Sequence, residues 1–157
     1  MGELVISRAT EDDRAAFLAS VDGLFREDAA VHDPYGDPDW TVRGGAAYFT
    51  DLLGDPRAVP LLAREGDRAF GHLVGRVLEP DTLRTGTRTA VLESIRVIPE
   101  GRGRGVGGRL VAAFFTWAKD HGAVRAGVTA YAANKAAQRF YARHGFVPAS
   151  VTLRATL

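Results

Sequence analysis

The sequence has no cysteine, a single methionine, and lysine only at Lys119 and Lys135. Without cysteine there is no disulfide, no thiolate metal site and no cysteine nucleophile. No apolar run approaches the length of a membrane span, and the segment MGELVISRATEDD lacks a basic-then-apolar leader. A cytoplasmic location is therefore expected, with no membrane partner. The charges nearly cancel, leaving a formal net charge of +1, which gives no reason to expect nucleic acid as a bulk electrostatic partner. No repeat, linker or low-complexity stretch divides the chain. What remains is 157 residues, 46% hydrophobic and 25% charged, enough for one globular domain over 1–157 with a core of its own.

Hydrophobic spacing outlines the elements. Leu4 to Arg8 reads as a short strand, and Thr10 followed by Glu11, Asp12 and Asp13 reads as a helix start with acids in its first turn. Apolar residues at Ala16, Phe17, Val21, Leu24 and Phe25 follow helical spacing, and the Pro/Gly-rich segment His32 to Trp40 breaks it. A second helix is expected over Arg43 to Leu53, weakened by the Gly44–Gly45 pair. The period then changes. Val59 to Arg64, Arg68 to Leu78 and Thr87 to Ile98 read as three strands, the first two joined by a turn at Glu65–Gly66–Asp67. A helix from Gly105 to His121, a strand Val124 to Ala130, a helix Asn134 to Arg143 and an antiparallel strand Val147 to Leu157 complete the order β-α-α-β-β-β-α-β-α-β. This is an α/β domain.

The most informative segment is Leu92 to Gly108, LESIRVIPEGRGRGVGG, where a strand, a basic glycine-rich turn and a helix follow in sequence. Gly103, Gly105 and Gly107 alternate, so backbone N–H groups can approach an anion with no Cβ in the way. Those N–H groups are unpaired donors at a helix N-terminus, where the dipole favours negative charge. Arg102 and Arg104 add charged donors for phosphate oxygens. The turn therefore has the chemistry of a pyrophosphate cradle. Gly103-x-Gly105-x-x-Gly108 also fits the dinucleotide fingerprint, but the next strand ends Val128–Thr129–Ala130–Tyr131, without the acid that would hold a ribose hydroxyl. A P-loop is excluded, because no Gly-Lys-Ser/Thr follows. A tight helix-packing turn with two solvated arginines is the bland alternative.

Arg102-Gly-Arg-Gly105-Val-Gly107 resembles the Arg/Gln-x-x-Gly-x-Gly/Ala acyl-CoA motif of the GNAT superfamily of N-acetyltransferases. About thirty residues on, Asn134, Ala137, Phe140, Tyr141, Gly145 and Phe146 fall at the spacing of that family's second motif. The resemblance implies a single-domain GNAT-like fold, with a mixed sheet of about six to seven strands and about four helices. It implies acetyl-CoA as cosubstrate, coenzyme A as product, and no metal. Backbone groups of Ile95, Arg96 and Val97 would hold the pantetheine arm. The turn Arg102, Gly103, Arg104, Gly105, Val106, Gly107 and Gly108 would hold the pyrophosphate. Asn134 would cap its helix and touch the coenzyme arm. Tyr141 would be the general acid toward the leaving thiolate, and Glu93 the general base, with His32, Asp33, His72 and Asp28 as secondary candidates. Glu27, Asp28, Asp33, Asp37 and Asp39, with Tyr35 and Trp40, would favour a cationic acceptor. A small-molecule amine is the expected partner, and a homodimer through the terminal strands is expected from relatives. A non-catalytic acyl-CoA sensor and a peptide or protein N-terminal acetyltransferase are the other classes this pattern admits.

Overall fold

The computed structural model describes residues 2–157. The chain runs β1 (Leu4–Arg8), α1 (Arg14–Leu24), α2 (Trp40–Gly54), β2 (Ala58–Glu65), β3 (Arg68–Val77), β4 (Arg88–Val97), α3 (Val106–Asp120), β5 (Ala123–Val128) and α4 (Lys135–Arg143). Beyond Leu24, α1 widens into a π-helical turn at Phe25–Ala29 and ends in Ala30–His32. The five strands lie in the order β1-β2-β3-β4-β5. The first four pair antiparallel, and β5 joins β4 in parallel through the α3 crossover.

The sheet is covered on both faces, which is why β2 is buried through Ala58 to Ala63 instead of alternating. On one face Phe114, Leu110 and Val111 of α3 pack over Leu73, Val77, Ala90 and Leu92. On the other, Phe17 and Val21 of α1 and Phe49 and Leu52 of α2 pack over Leu62 and Val74. The second helix starts at Trp40, three residues before the expected Arg43. Gly45 is buried there, and a Cβ on it would press on the Leu18 side chain at 3.2 Å, so the residue that weakens the helix also lets α1 and α2 approach.

The expected strand over Val147 to Leu157 does not form, so the sheet has five strands where six to seven were expected. Residues 147–157 are exposed and unpaired, with Val151 84% and Leu153 88% accessible. The period-2 signal is real, since Ala149, Val151, Leu153, Ala155 and Leu157 alternate with Ser150, Thr152, Arg154 and Thr156. A strand also needs an edge to pair with. Within this chain the segment pairs with no strand, and the outer edge of β5 stays unpaired.

Candidate active site

Two local features open a cleft beside β4. Opposite Val74 and Gly75 the β3–β4 register slips, so Leu92 and Ser94 pair while Glu93 is bulged out. The extra residue inverts the alternation. Leu92, Ile95 and Val97 all pack toward the α3 layer, whereas Ser94 bonds to His72 of β3, itself bonded to Ser20 of α1, and Arg96 bonds to Glu27 of the π-helical extension, on the other side of the sheet. On the opposite edge of β4, pairing with β5 ends at Leu92–Val128. Beyond that point the two parallel strands part. The gap is a cleft of about 280 Å³ lined by Ile95, Arg96, Val97, Tyr141, Asn134 and Asp28, among others.

At the mouth of this cleft lies the glycine turn. After the 3-10 turn Pro99–Gly101, Gly103 has φ +73° and Gly105 φ +77°, a left-handed conformation that side-chain-bearing residues rarely adopt. No atom lies within 4 Å of a Cβ built on either glycine, so the space above the turn is open. Helix α3 starts directly at Val106, with Gly105 as its N-cap, so its first-turn N–H groups lack intrahelical acceptors. Gly107, which lines the cleft, and Gly108 also serve the packing of the helices. Cβ atoms there would press at 3.0 Å on the Phe140 and His144 rings, so these two glycines seat α4 against α3.

The arginines of the turn are engaged from within. Arg102 donates from Nε to the Val97 carbonyl at 2.9 Å and from Nη2 to Glu27 at 3.0 Å. Glu27 also accepts from Arg96 at 2.8 and 3.2 Å, and these guanidinium groups, Arg96 foremost, hold its carboxyl below the usual range. Arg104 lies over the Phe70 ring, 5.0 Å from its centroid, and pairs with Glu65. Thus Arg102 reaches the cleft while Arg104 flanks the turn on its β2 side. Open glycines and first-turn amides fit an approaching pyrophosphate group.

Tyr141 projects into the cleft from α4, its ring 5.5 Å from Phe140 and 5.7 Å from Phe146. Burial, and second the nearby Asp28 carboxylate, push its hydroxyl up to about 12, so it stays protonated throughout the physiological range. Asn134 caps α4 by accepting from the Ala137 N–H at 3.0 Å. Its other end donates to Asp28 at 2.9 Å, tying the two walls together.

Glu93 does not join them. The bulge turns it outward, where it accepts from Arg76 Nε at 2.6 Å, and Arg76 also bonds Asp55. A carboxylate so paired is a sheet ion pair, and it is absent from the cleft lining. The acids of the 33–39 segment serve their own loop: Asp33 accepts from the Tyr35 N–H, Asp37 accepts from the Asp39 N–H, and Asp37 pairs with Arg43. Trp40 packs against Tyr48, and Tyr35 is 88% exposed. Only Glu27 and Asp28 of the expected acidic wall line the cleft. With Leu24 they recur at the i, i+3, i+4 spacing of a single helix face, a sign readable in the sequence.

His72 lies beneath the cleft, fully buried, with Ser20 Oγ 2.6 Å from Nδ1 and Ser94 Oγ 3.2 Å from Nε2. Burial, then the Arg96 charge, pulls the imidazole down to about 3. The unfolded chain therefore binds a proton near pH 6.5 that the folded protein refuses. Stability from the neutral imidazole is complete above pH 6.5 and declines as pH falls toward 3, by up to about 1.4 kcal/mol per unit. Urea unfolding at pH 7, 6 and 5 should show this slope in the wild type and a flatter one in His72→Gln. An unchanged slope would place the acid sensitivity at other groups.

A parallel strand pair that parts beside a glycine-rich helix N-terminus is the arrangement that the resemblance to the GNAT superfamily implied. The chain belongs to the acetyltransferase (GNAT) family, whose model matches residues 21–146. Among individual proteins, it is 32% identical over 101 residues to the uncharacterized N-acetyltransferase Rv2669 of Mycobacterium tuberculosis. The match takes in 64% of this chain and 60% of that protein's length. Solved structures extend the likeness to the whole fold. A transcriptional regulator from Bacillus halodurans C-125 superposes with a TM-score of 0.78 at 24% identity, covering 99% of this chain and 100% of that one. The aminoglycoside N-acetyltransferase AAC(6')-Iy, in complex with CoA, superposes with a TM-score of 0.76 at 19% identity, covering 100% and 96%.

Proposed function

We propose that this protein transfers an acetyl group from acetyl-CoA to the primary amine of a small molecule, by direct attack and without an acyl-enzyme intermediate. The observation on which this rests is the parting of β4 and β5 beyond Leu92 over a cleft that has the open Gly103–Gly105 turn at its mouth and Tyr141 inside. Acetyl-CoA supplies the activated acyl group as a thioester. The edge of β4 from Glu93 to Val97, released from β5, offers backbone groups to an extended amide-bearing arm, the Val97 carbonyl being shared with Arg102. Gly103, Gly105 and the first turn of α3, with Arg102, provide donors for a pyrophosphate. A main-chain amide at Ile95 or Val97 polarises the carbonyl as charge develops on oxygen. As the C–N bond forms and the C–S bond breaks, Tyr141, protonated and partly buried, donates a hydrogen bond to the leaving sulfur, and the proton given up by the attacking amine passes to solvent. Small amines are favoured as acceptors because the cleft is compact and because AAC(6')-Iy, a structural neighbour, is an aminoglycoside N-acetyltransferase. Calorimetric titration with acetyl-CoA, coenzyme A and NAD tests the reading. Binding of the first two alone is expected, and failure of both coenzyme A species to bind would overturn it.

The unpaired 147–157 segment also supports a homodimer, in which each copy's alternating segment pairs with its partner's sheet. Sedimentation equilibrium should show two copies for the full chain and one after deletion of 147–157. A monomeric full-length protein would refute the pairing.

A further inference from the structure

We infer that Asp28 receives the ammonium group of the acceptor, so that the acceptor is a primary alkylammonium bound against the α1 wall of the cleft. This rests on the acyl-transfer reading above and assigns its second substrate to a residue. The cleft has two walls. Leu24, Glu27 and Asp28 face it from the end of α1 and its π-helical turn, and Ala137, Phe140 and Tyr141 face it from α4. A nucleophile that attacks a carbonyl in this gap, with its leaving group at Tyr141, approaches from a group across the gap.

Three acids lie on β4 and the end of α1 near that position. Glu93 is outside the cleft and paired with Arg76. Glu27 is inside but held between Arg96 and Arg102, its charge already balanced. Asp28 differs from both. Among the described residues no arginine or lysine pairs with it, and the His32 ring nitrogen Nε2 lies 3.7 Å from its Oδ1. Its Oδ1 accepts from Asn134, whose own position is fixed as the cap of α4, and no hydrogen bond of the described residues reaches its Oδ2. The side chain is 31% exposed, so it is partly desolvated yet reachable. A positioned carboxylate with one free oxygen, short of a counter-ion, is a receptor for an ammonium group, whose three donors can satisfy it. The His32 and Tyr131 rings, 5.3 Å apart, stand next to it and offer a flank for the carbons that bear the nitrogen. The upward push of Asp28 on the Tyr141 hydroxyl agrees with a carboxylate whose field crosses the cleft.

Dansylcadaverine, a primary alkylammonium with a fluorescent tail, and its N-acetyl derivative make a matched pair of probes. Coenzyme A binding is measured first by calorimetry. Each probe is then titrated by fluorescence polarisation into the full-length protein with coenzyme A present. Wild type should bind the ammonium at least about tenfold more tightly than the acetylated probe. Asp28→Asn should abolish that preference. The asparagine retains an oxygen for Asn134, so coenzyme A affinity should stay within about threefold of wild type. Glu27→Gln should keep the preference. No preference in the wild type, a preference surviving Asp28→Asn, or an equal loss in Glu27→Gln would overturn the assignment. Failure of coenzyme A itself to bind would instead strike the acyl-transfer reading, and is seen before any amine is added.

Discussion

Tyr141→Phe should reduce acetyl transfer by roughly 10²- to 10³-fold, the range over which a preorganised hydrogen-bond donor to developing negative charge acts, with coenzyme affinity almost unchanged. The reason for the division lies in what the substitution removes. A phenylalanine ring keeps the edge contacts with Phe140 and Phe146, so α4 should hold its place and the cleft its shape. What disappears is one hydroxyl in a buried position. Thiols ionise near pH 8.5, well below the value of about 12 to which burial brings Tyr141, so full proton transfer from tyrosine to thiolate is uphill. Its main contribution is then a hydrogen bond that strengthens as negative charge grows on sulfur. Release of free thiol, followed colorimetrically with an amine acceptor, measures the turnover, and calorimetry the affinity. Unimpaired turnover in Tyr141→Phe would remove Tyr141 from the reaction, and a loss of coenzyme affinity equal to the loss of rate would make it a binding residue.

Gly105→Asp should weaken coenzyme A binding by at least about a hundredfold, close to 2.8 kcal/mol at about 1.4 per tenfold. The carboxylate would stand where the first-turn amides of α3 face an incoming anion, cancelling the favourable potential of the helix end. Two features keep this from being a folding defect. No atom lies within 4 Å of the new Cβ, and aspartate tolerates the left-handed conformation at φ +77° better than most residues. Far-UV circular dichroism and thermal unfolding should therefore show a folded protein with a modest loss of stability. Unchanged affinity in this folded variant would withdraw the phosphate role from the turn.

The sequence is most readable where a constraint is local. Strand, glycine turn and helix are adjacent along the chain from Leu92 to Asp120, so the order of chemistry-bearing residues is also their order in space. The cap at Asn134 and the aromatic pair Phe140–Tyr141 are likewise set within one helix. Glu93 fails as a base for a reason of another kind. Its partner, Arg76, lies 17 residues away, and a bulge of one residue decides which way the acid points. No periodicity reveals such a slip. The same holds for Asp28, which meets Asn134 across 106 residues of chain. At the C-terminal end, alternation of apolar and polar residues predicts a strand that does not form, because pairing depends on an edge that the alternation cannot supply.

The internal pairing of Arg102 with Glu27 and of Arg104 with Glu65 bears on which anions this protein admits. An incoming phosphate does not find two bare guanidinium groups; it must replace carboxylates already in place, and the exchange returns little for each contact won. A small ion such as inorganic phosphate, with few contacts to offer, has no advantage over the resident acids. A larger ligand that brings a pyrophosphate to the turn and a long amide-bearing arm to the parted strands gains from both at once. If the turn holds a pyrophosphate as proposed, the resident carboxylates would act as a filter, tilting the site from charge alone toward length and shape.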